Sequence, residues 1–437
     1  MSIRRLTGFI AAIGIVLTPA TATTISAARA ATPAPTVIAA GVPAPIAATH
    51  DYNQIYGWLE QGGMKVFFPY FATDDLLTED VLQFEFLDFY GRNIGLPQAS
   101  YKTTCDPNSP AFTQLSAHHV QLLLSSDVMY PPTDFPSMAQ DPLKTLIGCA
   151  GRTGIFGVLS YDEPVKNNVS LAQLQTLYNR VKAVDPTIPV LMVNAPLTRV
   201  DANGNQITPA QVTSYFNAVA AAQAYGDALG FDLYPIPKVK LYDWTSPYTA
   251  GNQSPDYQSL LGDYVNWLHS KAGTKPTWMA LQGFTFDSFQ QFPTLPAPSL
   301  DLANPTTVIP PTLSFSGGLD LGQAGPIQGG CLCGTSLYGP SESELQTMVQ
   351  ITLNGGATMF GWYGQSFVSQ ENVPDWRTVI NGQPTPTLYQ SIQSVSLATQ
   401  SGLAPAQARS AAPKPPSHRG DQSRMADDPR LWGLHFF

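Results

Sequence analysis

Short apolar runs alternate with amphipathic stretches along most of this chain, and this alternation limits the available folds more strictly than any other feature. A short apolar run between turn residues predicts a buried strand, whereas apolar residues at helical spacing predict a helix. The predicted strands are 65–71, a segment within 95–103, 119–126, 154–164, 189–196, 228–237, 275–284 and 357–364. The predicted helices are 79–94, 111–117, 141–149, a stretch after Ser170, 210–225, 257–271, a stretch after Ser341, and 386–397. A repeated strand–helix unit favours an α/β fold with a parallel sheet.

Eight such units predict a (β/α)₈ TIM barrel, in a single domain with a long loop insertion after strand seven. A doubly wound open sheet is the main alternative, but no glycine-rich phosphate fingerprint opens any predicted helix. The barrel domain is expected to span residues 49–399. The insertion, 285–339, is expected to lie over the barrel mouth, because loops at that end build barrel active sites.

The two ends of the chain differ from this pattern. Residues 1–30 have the form of a secretory signal peptide, with Arg4 and Arg5 before an apolar core and an A-x-A site ending at Ala30. The apolar core is too short to span a membrane, so we expect a secreted protein, extracellular or periplasmic, after cleavage near Ala30. Residues 31–48, rich in Ala, Pro, Thr and Val, are interpreted as a linker, and residues 400–437 as a disordered tail.

The chain has 4 cysteines, Cys105, Cys149, Cys331 and Cys333, which allow three pairings in an oxidising compartment. A bond between Cys105 and Cys149 is favoured, because both flank the same predicted unit. A Cys331–Cys333 bridge would close a very small, strained ring. No metal site is expected, since the C-x-C spacing has no nearby histidine partner.

Composition restricts the partners. Charged residues are only 12% of the chain and the formal net charge is −9, which argues against a nucleic-acid partner. Aromatic residues are 11%, and neutral polar and aromatic groups suit a neutral polar ligand such as a sugar. Composition therefore favours a carbohydrate partner and no nucleic acid. We also expect no membrane span, no cofactor and a monomer.

Polar and aromatic side chains stand where the later predicted strands end. Asp162 and Glu163 follow the apolar run of strand four, and Pro164 prevents the strand from continuing. In a β/α barrel the carboxyl ends of the strands meet at one mouth, where active sites lie. The other candidates at this mouth are Asn194 after strand five, Asp232 and Tyr234 after strand six, Gln282 after strand seven and Trp362 after strand eight.

Four fragments, SYDEPV, GFDLYPIP, WMALQGF and MFGWYG, resemble the clan A glycoside hydrolases. The chain is more closely similar to uncharacterised bacterial barrel proteins of the glycoside hydrolase type with a D-E-P motif. The resemblance implies that Glu163 matches the acid/base glutamate of an N-E-P motif, with Asp162 in place of the asparagine. It also implies that Tyr234 matches a tyrosine near strand six and Trp362 a sugar platform on strand eight. These similarities predict a secreted glycoside hydrolase acting on a poly- or oligosaccharide, with Glu163 as general acid.

One position departs from that pattern. Clan A places a nucleophilic glutamate at the end of strand seven, where this chain has Gln282, and an amide cannot form a glycosyl ester. Three alternatives stay open: hydrolysis with Asp232 as the second carboxylate, substrate-assisted hydrolysis of an N-acetyl sugar with Asp162 as the orienting group, and a non-catalytic glycan-binding barrel. Gln282 and Asn194 are then candidate substrate contacts, against structural roles for both. A structural secreted barrel without a glycan role is a further alternative.

Overall fold

Eight parallel strands close into a barrel in the computed structural model, in the order of the chain from β1 to β8. The structure describes residues 34–42, 46, 51–69, 105–132, 135–201, 205–236, 244–248, 254–283, 340–363, 379–380, 383–384 and 388–402. The strands are β1 (Thr36–Ala40), β2 (Val66–Phe67), β3 (Gln121–Ser125), β4 (Ile155–Leu159), β5 (Val190–Asn194), β6 (Ala228–Leu233), β7 (Thr277–Gln282) and β8 (Met359–Tyr363). The predicted (β/α)₈ barrel is confirmed.

Helices follow the strands along the chain. They are α1 (Tyr52–Gln61), α2 (Pro110–Ala117), α3 (Ser126–Met129), α4 (Pro142–Ala150), α5 (Leu171–Val184), α6 (Pro209–Ala222), α7 (Tyr257–Ala272), α8 (Glu342–Asn354) and α9 (Leu388–Ser401). Short 3₁₀ turns lie at Met138–Gln140, Arg152–Gly154 and Gln223–Tyr225, and Val379–Ile380 (β9) pairs antiparallel with Gln383–Pro384 (β10) outside the barrel. Capping boxes start α5 at Ser170 and α8 at Ser341, at the two predicted helix starts.

The first strand lies inside the segment that was predicted to be a linker. Strand β1 pairs with β8 along its whole length, from Thr36 opposite Met359 to Ala40 opposite Tyr363, and also with β2. The linker assignment for 31–48 is therefore wrong over Thr36–Ala40, and the barrel domain begins before residue 49. The physical reason is that TVIAA is an apolar, β-branched run that the closed sheet buries on both faces.

The number of strands before the D-E-P turn is nevertheless as predicted, although two of those strands differ from the prediction. The run predicted as strand one contains β2, and the predicted second strand, within 95–103, lies outside the described residues. In the barrel β2 pairs directly with β3. The strand that precedes Asp162 and Glu163 is therefore the fourth, as predicted.

Two packed layers flank the barrel wall. The inner layer consists of residues on strands or directly after them, such as Ile38, Leu123, Ala228 and Trp278. The outer layer joins the alternate strand residues to the apolar faces of the helices. Both faces of each strand are therefore buried, as is usual for parallel sheets in α/β proteins.

A disulfide links Cys105 to Cys149, the favoured pair, with their Cα atoms 6.3 Å apart. It ties the segment before α2 to the last turn of α4. In the chain-entropy model such a bond stabilises a fold by about 2–4 kcal/mol. Cys331 and Cys333 lie outside the described residues.

Several predicted segments lie outside the described residues: the signal peptide at 1–30, the insertion at 285–339, and most of the tail. Helix α9 extends through Ser401, so the helical region runs slightly past the predicted start of the tail at residue 400. Within the described ranges, no helix has both the length and the apolar character needed to cross a bilayer.

Candidate active site

The D-E-P turn holds Glu163 in a constrained backbone conformation at the carboxyl end of β4. Glu163 has φ of +42°, a left-handed value that is costly for a residue other than glycine. Hydrogen bonds fix the turn: Asn167 N donates to Glu163 O at 3.0 Å, and Val169 N donates to Pro164 O at 2.8 Å. The Asn167 side chain also donates to Asp162 O at 2.8 Å. Backbone strain of this kind is found most often at functional sites.

Glu163 contacts Asp232, which comes from the inner face of β6, two strands away. The Glu163 carboxyl lies within hydrogen-bonding reach of Asp232. Two carboxyl groups this close repel each other when both are ionised, which favours a state in which the pair holds one proton. Burial, followed by the nearby charges of Glu163 and Asp162, raises the pKa of Asp232 well above its usual range. We call Glu163 and Asp232 the carboxyl pair. Asp232 is 9% exposed, and the Glu163 side chain is 14% exposed.

Lys166 supplies a positive charge to this pair. Its Nζ forms an ion pair with Glu163 Oε2 across the same turn, and its side chain is 51% exposed. Burial acts to lower the pKa of Lys166, but Glu163, Asp232 and Asp162 outweigh that effect, and the pKa is raised. Lys166 is therefore a cation at neutral pH.

Asp162 and Asp127 extend the pair into a cluster of four carboxyl groups. Burial, followed by the charges of Glu163 and Asp127, raises the pKa of Asp162 to about 8. Asp127, in α3 directly after β3, accepts a hydrogen bond from Asp162 N at 3.0 Å, and burial raises its own pKa to about 6. We call these four residues the carboxyl cluster. Asp127 is not among the predicted site residues, although it stands just after the apolar run QLLLSS, as Asp162 stands just after β4.

Two stacked tyrosines lie at the ends of β6 and β8. The rings of Tyr234 and Tyr363 are 5.2 Å apart and inclined by 18°. Burial, followed by the charge of Asp232, raises the pKa of Tyr234 well above its usual range, which places Tyr234 beside the carboxyl pair. Tyr234 is one of the predicted site residues, whereas Tyr363 is not; the residue predicted on strand eight is its neighbour, Trp362.

Trp362 does not face the mouth, and its assignment as a sugar platform is wrong. The indole is fully buried in the outer layer between the barrel and the helices. Its Nε1 donates to Ser396 Oγ of α9 at 2.7 Å, and its ring meets Phe360 edge-on at 5.5 Å. Alternate residues of a strand face opposite sides, so Trp362 and Tyr363 point to different layers.

Gln282 is also engaged within the protein. Its Oε1 accepts a hydrogen bond from Ile236 N at 3.0 Å, and its Nε2 donates to Ile236 O at 2.7 Å. The side chain is fully buried. These contacts oppose the predicted role of Gln282 in substrate binding and favour the structural alternative, an amide that fixes the segment after β6.

Asn194 lies at the end of β5 and is 1% exposed. Its Nδ2 donates to Gly230 O at 3.3 Å, whereas its Oδ1 has no hydrogen-bond partner among the described residues. Ser125 Oγ, at the end of β3, and Ser160 Oγ, directly after β4, are likewise buried and unpartnered in the described part of the chain. Buried polar atoms are normally satisfied by protein, water or ligand. The role of Asn194 in binding a substrate stays a prediction.

The arrangement combines two carboxyl groups in contact, a cation that contacts one of them, and an aromatic pair at the same mouth. In the described ranges, no group of three His, Cys, Asp or Glu side chains is placed to hold a metal ion. The fold and site together define a (β/α)₈ barrel with an acid cluster at the carboxyl ends of β3, β4 and β6.

No family model matches the chain, and no curated protein matches its sequence. Solved structures to which it is similar include a GH128 endo-beta-1,3-glucanase from Amycolatopsis mediterranei, with a TM-score of 0.35, 13% identity, and coverage of 82% of this chain and 97% of that chain. An endo-1,4-beta-D-mannanase from Thermotoga petrophila has a TM-score of 0.39 and 10% identity over 74% of this chain and 87% of that chain. A beta-xylosidase from Caulobacter crescentus has a TM-score of 0.39 and 12% identity over 83% of this chain and 69% of that chain. Similarities this remote assign no activity.

Proposed function

We propose that this protein is a glycoside hydrolase acting on a poly- or oligosaccharide, with Glu163 as the general acid. The observation that supports the proposal is the contact between the Glu163 and Asp232 carboxyl groups at the mouth of the barrel, where the pKa of Asp232 is raised. Active sites of barrel enzymes lie at this mouth, and glycoside hydrolysis needs a carboxyl group that is protonated at neutral pH. The low content of charged residues and the tyrosine pair suit a neutral, hydroxyl-rich substrate.

The two members of the carboxyl pair divide the work. Glu163 is the more exposed member and is the one that a substrate would reach, whereas Asp232 lies on the inner face of β6. In the reaction the proton moves from Asp232 to Glu163, and Glu163 gives it to the glycosidic oxygen. The bond from that oxygen to the anomeric carbon breaks, and its electron pair stays on the leaving alcohol. Water adds to the sugar and returns one proton to the pair.

The hydrogen bond between the carboxyls changes the role predicted for Asp232. Inverting enzymes keep their two carboxyl groups roughly 6.5–9.5 Å apart, and retaining enzymes about 5–5.5 Å apart. Carboxyl groups within hydrogen-bonding reach of each other leave no room for the scissile bond between them, so Asp232 is proposed as a proton reservoir instead of a separate base. We propose Asp162, next to Glu163, as the residue that orients the attacking water or the acetamido group of an N-acetyl sugar.

A non-catalytic glycan-binding barrel is the second candidate. The observation that favours it is the bonding of Gln282 to the Ile236 backbone, which leaves an engaged amide at the place where the resembling enzymes have a nucleophile. A binding protein would need the tyrosines and the unpartnered oxygens of the mouth, and no proton transfer.

We also propose that the protein acts after export. The signal-like pattern of residues 1–30 supports this, and so does the Cys105–Cys149 disulfide, because such bonds persist in oxidising compartments.

The test is to screen the purified mature protein on a panel of glycans and aryl glycosides, beside Glu163→Gln and the control Glu60→Gln, which removes a carboxylate from the exposed part of α1. A general acid contributes about 10²–10⁴-fold, so Glu163→Gln should lose kcat in that range on unactivated glycans. It should lose less on aryl glycosides with good leaving groups, which need little protonation. The control should keep full activity.

Full activity of Glu163→Gln on an unactivated glycan would refute the acid assignment. Glycan binding without cleavage, over the whole panel, would instead support the binding-barrel candidate.

A further inference from the structure

We propose that Lys166 is a positioning residue that keeps the negative charge of the carboxyl pair on Glu163 and so leaves the proton on Asp232. This inference rests on the proposed function of the pair, and it adds a residue that neither the sequence pattern nor the resemblance names. Its basis is the ion pair between Lys166 Nζ and Glu163 Oε2 next to the Asp232 carboxyl.

The turn after β4 fixes the geometry of this ion pair. Lys166 and Glu163 are three residues apart in a segment that is not helical, so their contact depends on the particular turn. Asn168, like Glu163, has a left-handed φ, of +56°, and Val169 N closes the turn on Pro164 O. The backbone is therefore folded so that the lysine reaches back to the glutamate from the chain segment that follows it.

Lys166 is surrounded by carboxyl groups, and its positive charge acts on several of them. The negative charges of Glu163 and Asp162, in the same turn, and of Asp232, on β6, favour the charged form of Lys166. Asp127 in α3 adds a further carboxyl beside Asp162. Burial, with the charges of Asp232 and Glu163 among the further causes, raises the pKa of Tyr234 after β6 and of Tyr215 in α6. Among the described residues, Lys166 is the cation that opposes the charge of both Asp162 and Asp232.

A purely structural role would give a different result. Ion pairs with an exposed member contribute little to stability, and half of the Lys166 side chain is exposed. Removal of the ammonium group should therefore leave the fold intact. It should still change proton binding, since a nearby positive charge favours the ionised form of a carboxyl group.

The experiment compares wild type with Lys166→Met, Lys166→Arg and the control Lys144→Met, which removes a lysine from the exposed side of α4. The basic limb of the pH profile of kcat/KM marks loss of the proton from the carboxyl pair. Lys166⁺ lowers the pKa of that step, so Lys166→Met should move the limb to higher pH, by about 1 unit. Lys166→Arg and Lys144→Met should leave it in place. A limb that does not move in Lys166→Met would overturn the inference.

A second measurement does not depend on catalysis. ¹³C NMR of side-chain carboxyls, titrated without substrate, follows the pair directly, with Asp232→Asn used to assign its resonance. The resonances should titrate at higher pH in Lys166→Met than in wild type, and Lys166→Gln repeats the test if the methionine variant does not fold. Unmoved resonances would overturn the inference whether or not the protein cleaves a glycan. Moved resonances in a protein that cleaves nothing would support the inference and reject the proposed function.

Discussion

The ends of β4 and β7 carry polar side chains at equivalent places of the same barrel mouth, yet the two ends are built in opposite ways. After β4 the backbone is strained at Glu163, and its carboxyl meets Asp232 and Lys166. At the end of β7 the Gln282 amide is fully buried and bonded to both polar groups of the Ile236 backbone. One end presents a carboxyl group beside another carboxyl and a cation, whereas the other end holds the segment that follows β6.

The difference extends to the neighbouring strands. Asp127, directly after β3, and Asp232, on β6, belong to the carboxyl cluster together with the two acids after β4. On β8 the indole of Trp362 is bonded to helix α9, and only the tyrosine after it faces the inner layer. We infer that the proposed chemistry belongs to β3, β4 and β6, whereas Gln282 and Trp362 contribute stability.

The largest effect expected after that of Glu163→Gln is that of Asp232→Asn. Asparagine keeps the shape and can still donate a hydrogen bond, but it has no acid proton to pass to Glu163. We expect kcat on an unactivated glycan to fall by about 10²-fold, the lower end of the range for general acids. Steady-state kinetics with matched unfolding curves would measure this. Wild-type turnover in the variant would show that Asp232 does not supply the proton to Glu163.

Gln282→Ala should affect stability and leave catalysis nearly unchanged. The substitution leaves the buried N–H and C=O of Ile236 without partners, and an unsatisfied buried group costs about 1–3 kcal/mol. Urea unfolding should show this loss, while KM for the glycan stays within a factor of two or so of wild type. A large rise in KM with unchanged stability would show that Gln282 binds substrate, as predicted from the sequence, and that the ends of β4 and β7 both serve the site.

The smallest effects should separate two adjacent residues of β8. Trp362→Phe loses the hydrogen bond to Ser396 and some packing, so it should destabilise by about 1–2 kcal/mol without a change in KM. Tyr363→Ala removes one ring of the stacked pair and should raise KM several-fold, at a smaller cost in stability. Unfolding curves and kinetics on both variants decide the matter. A rise in KM for Trp362→Phe alone would show that the indole of Trp362, and not Tyr363, contacts the sugar.

Much of the fold could be predicted from the sequence because its strands are short apolar runs with clear ends. The run IFGVL followed by Asp162, Glu163 and Pro164 indicates both a strand and the residues at its end. The favoured disulfide could be predicted because its cysteines flank one strand–helix unit. Strand β1 was missed because TVIAA lies among prolines and alanines, whose composition resembles a linker more than it resembles a strand.

The site was less predictable, for a reason that lies in the barrel itself. Every strand is buried on both faces, so the sequence MFGWY is apolar throughout and does not indicate whether Trp362 or Tyr363 faces inward. The contact between Glu163 and Asp232 joins residues from two separate strands, and the ion pair with Lys166 depends on a turn whose left-handed residues are not glycine. Neither has a local sequence signal.

Under the proposed function, the left-handed backbone of Glu163 makes stability of the fold and turnover of substrate conflicting demands at one position. Glycine would adopt that φ without strain, whereas a side chain there costs on the order of 1 kcal/mol. A library selected only for survival at high temperature should therefore enrich glycine at this position, and the recovered proteins would be more robust and inert. Selection for turnover would retain the glutamate and accept the weaker fold.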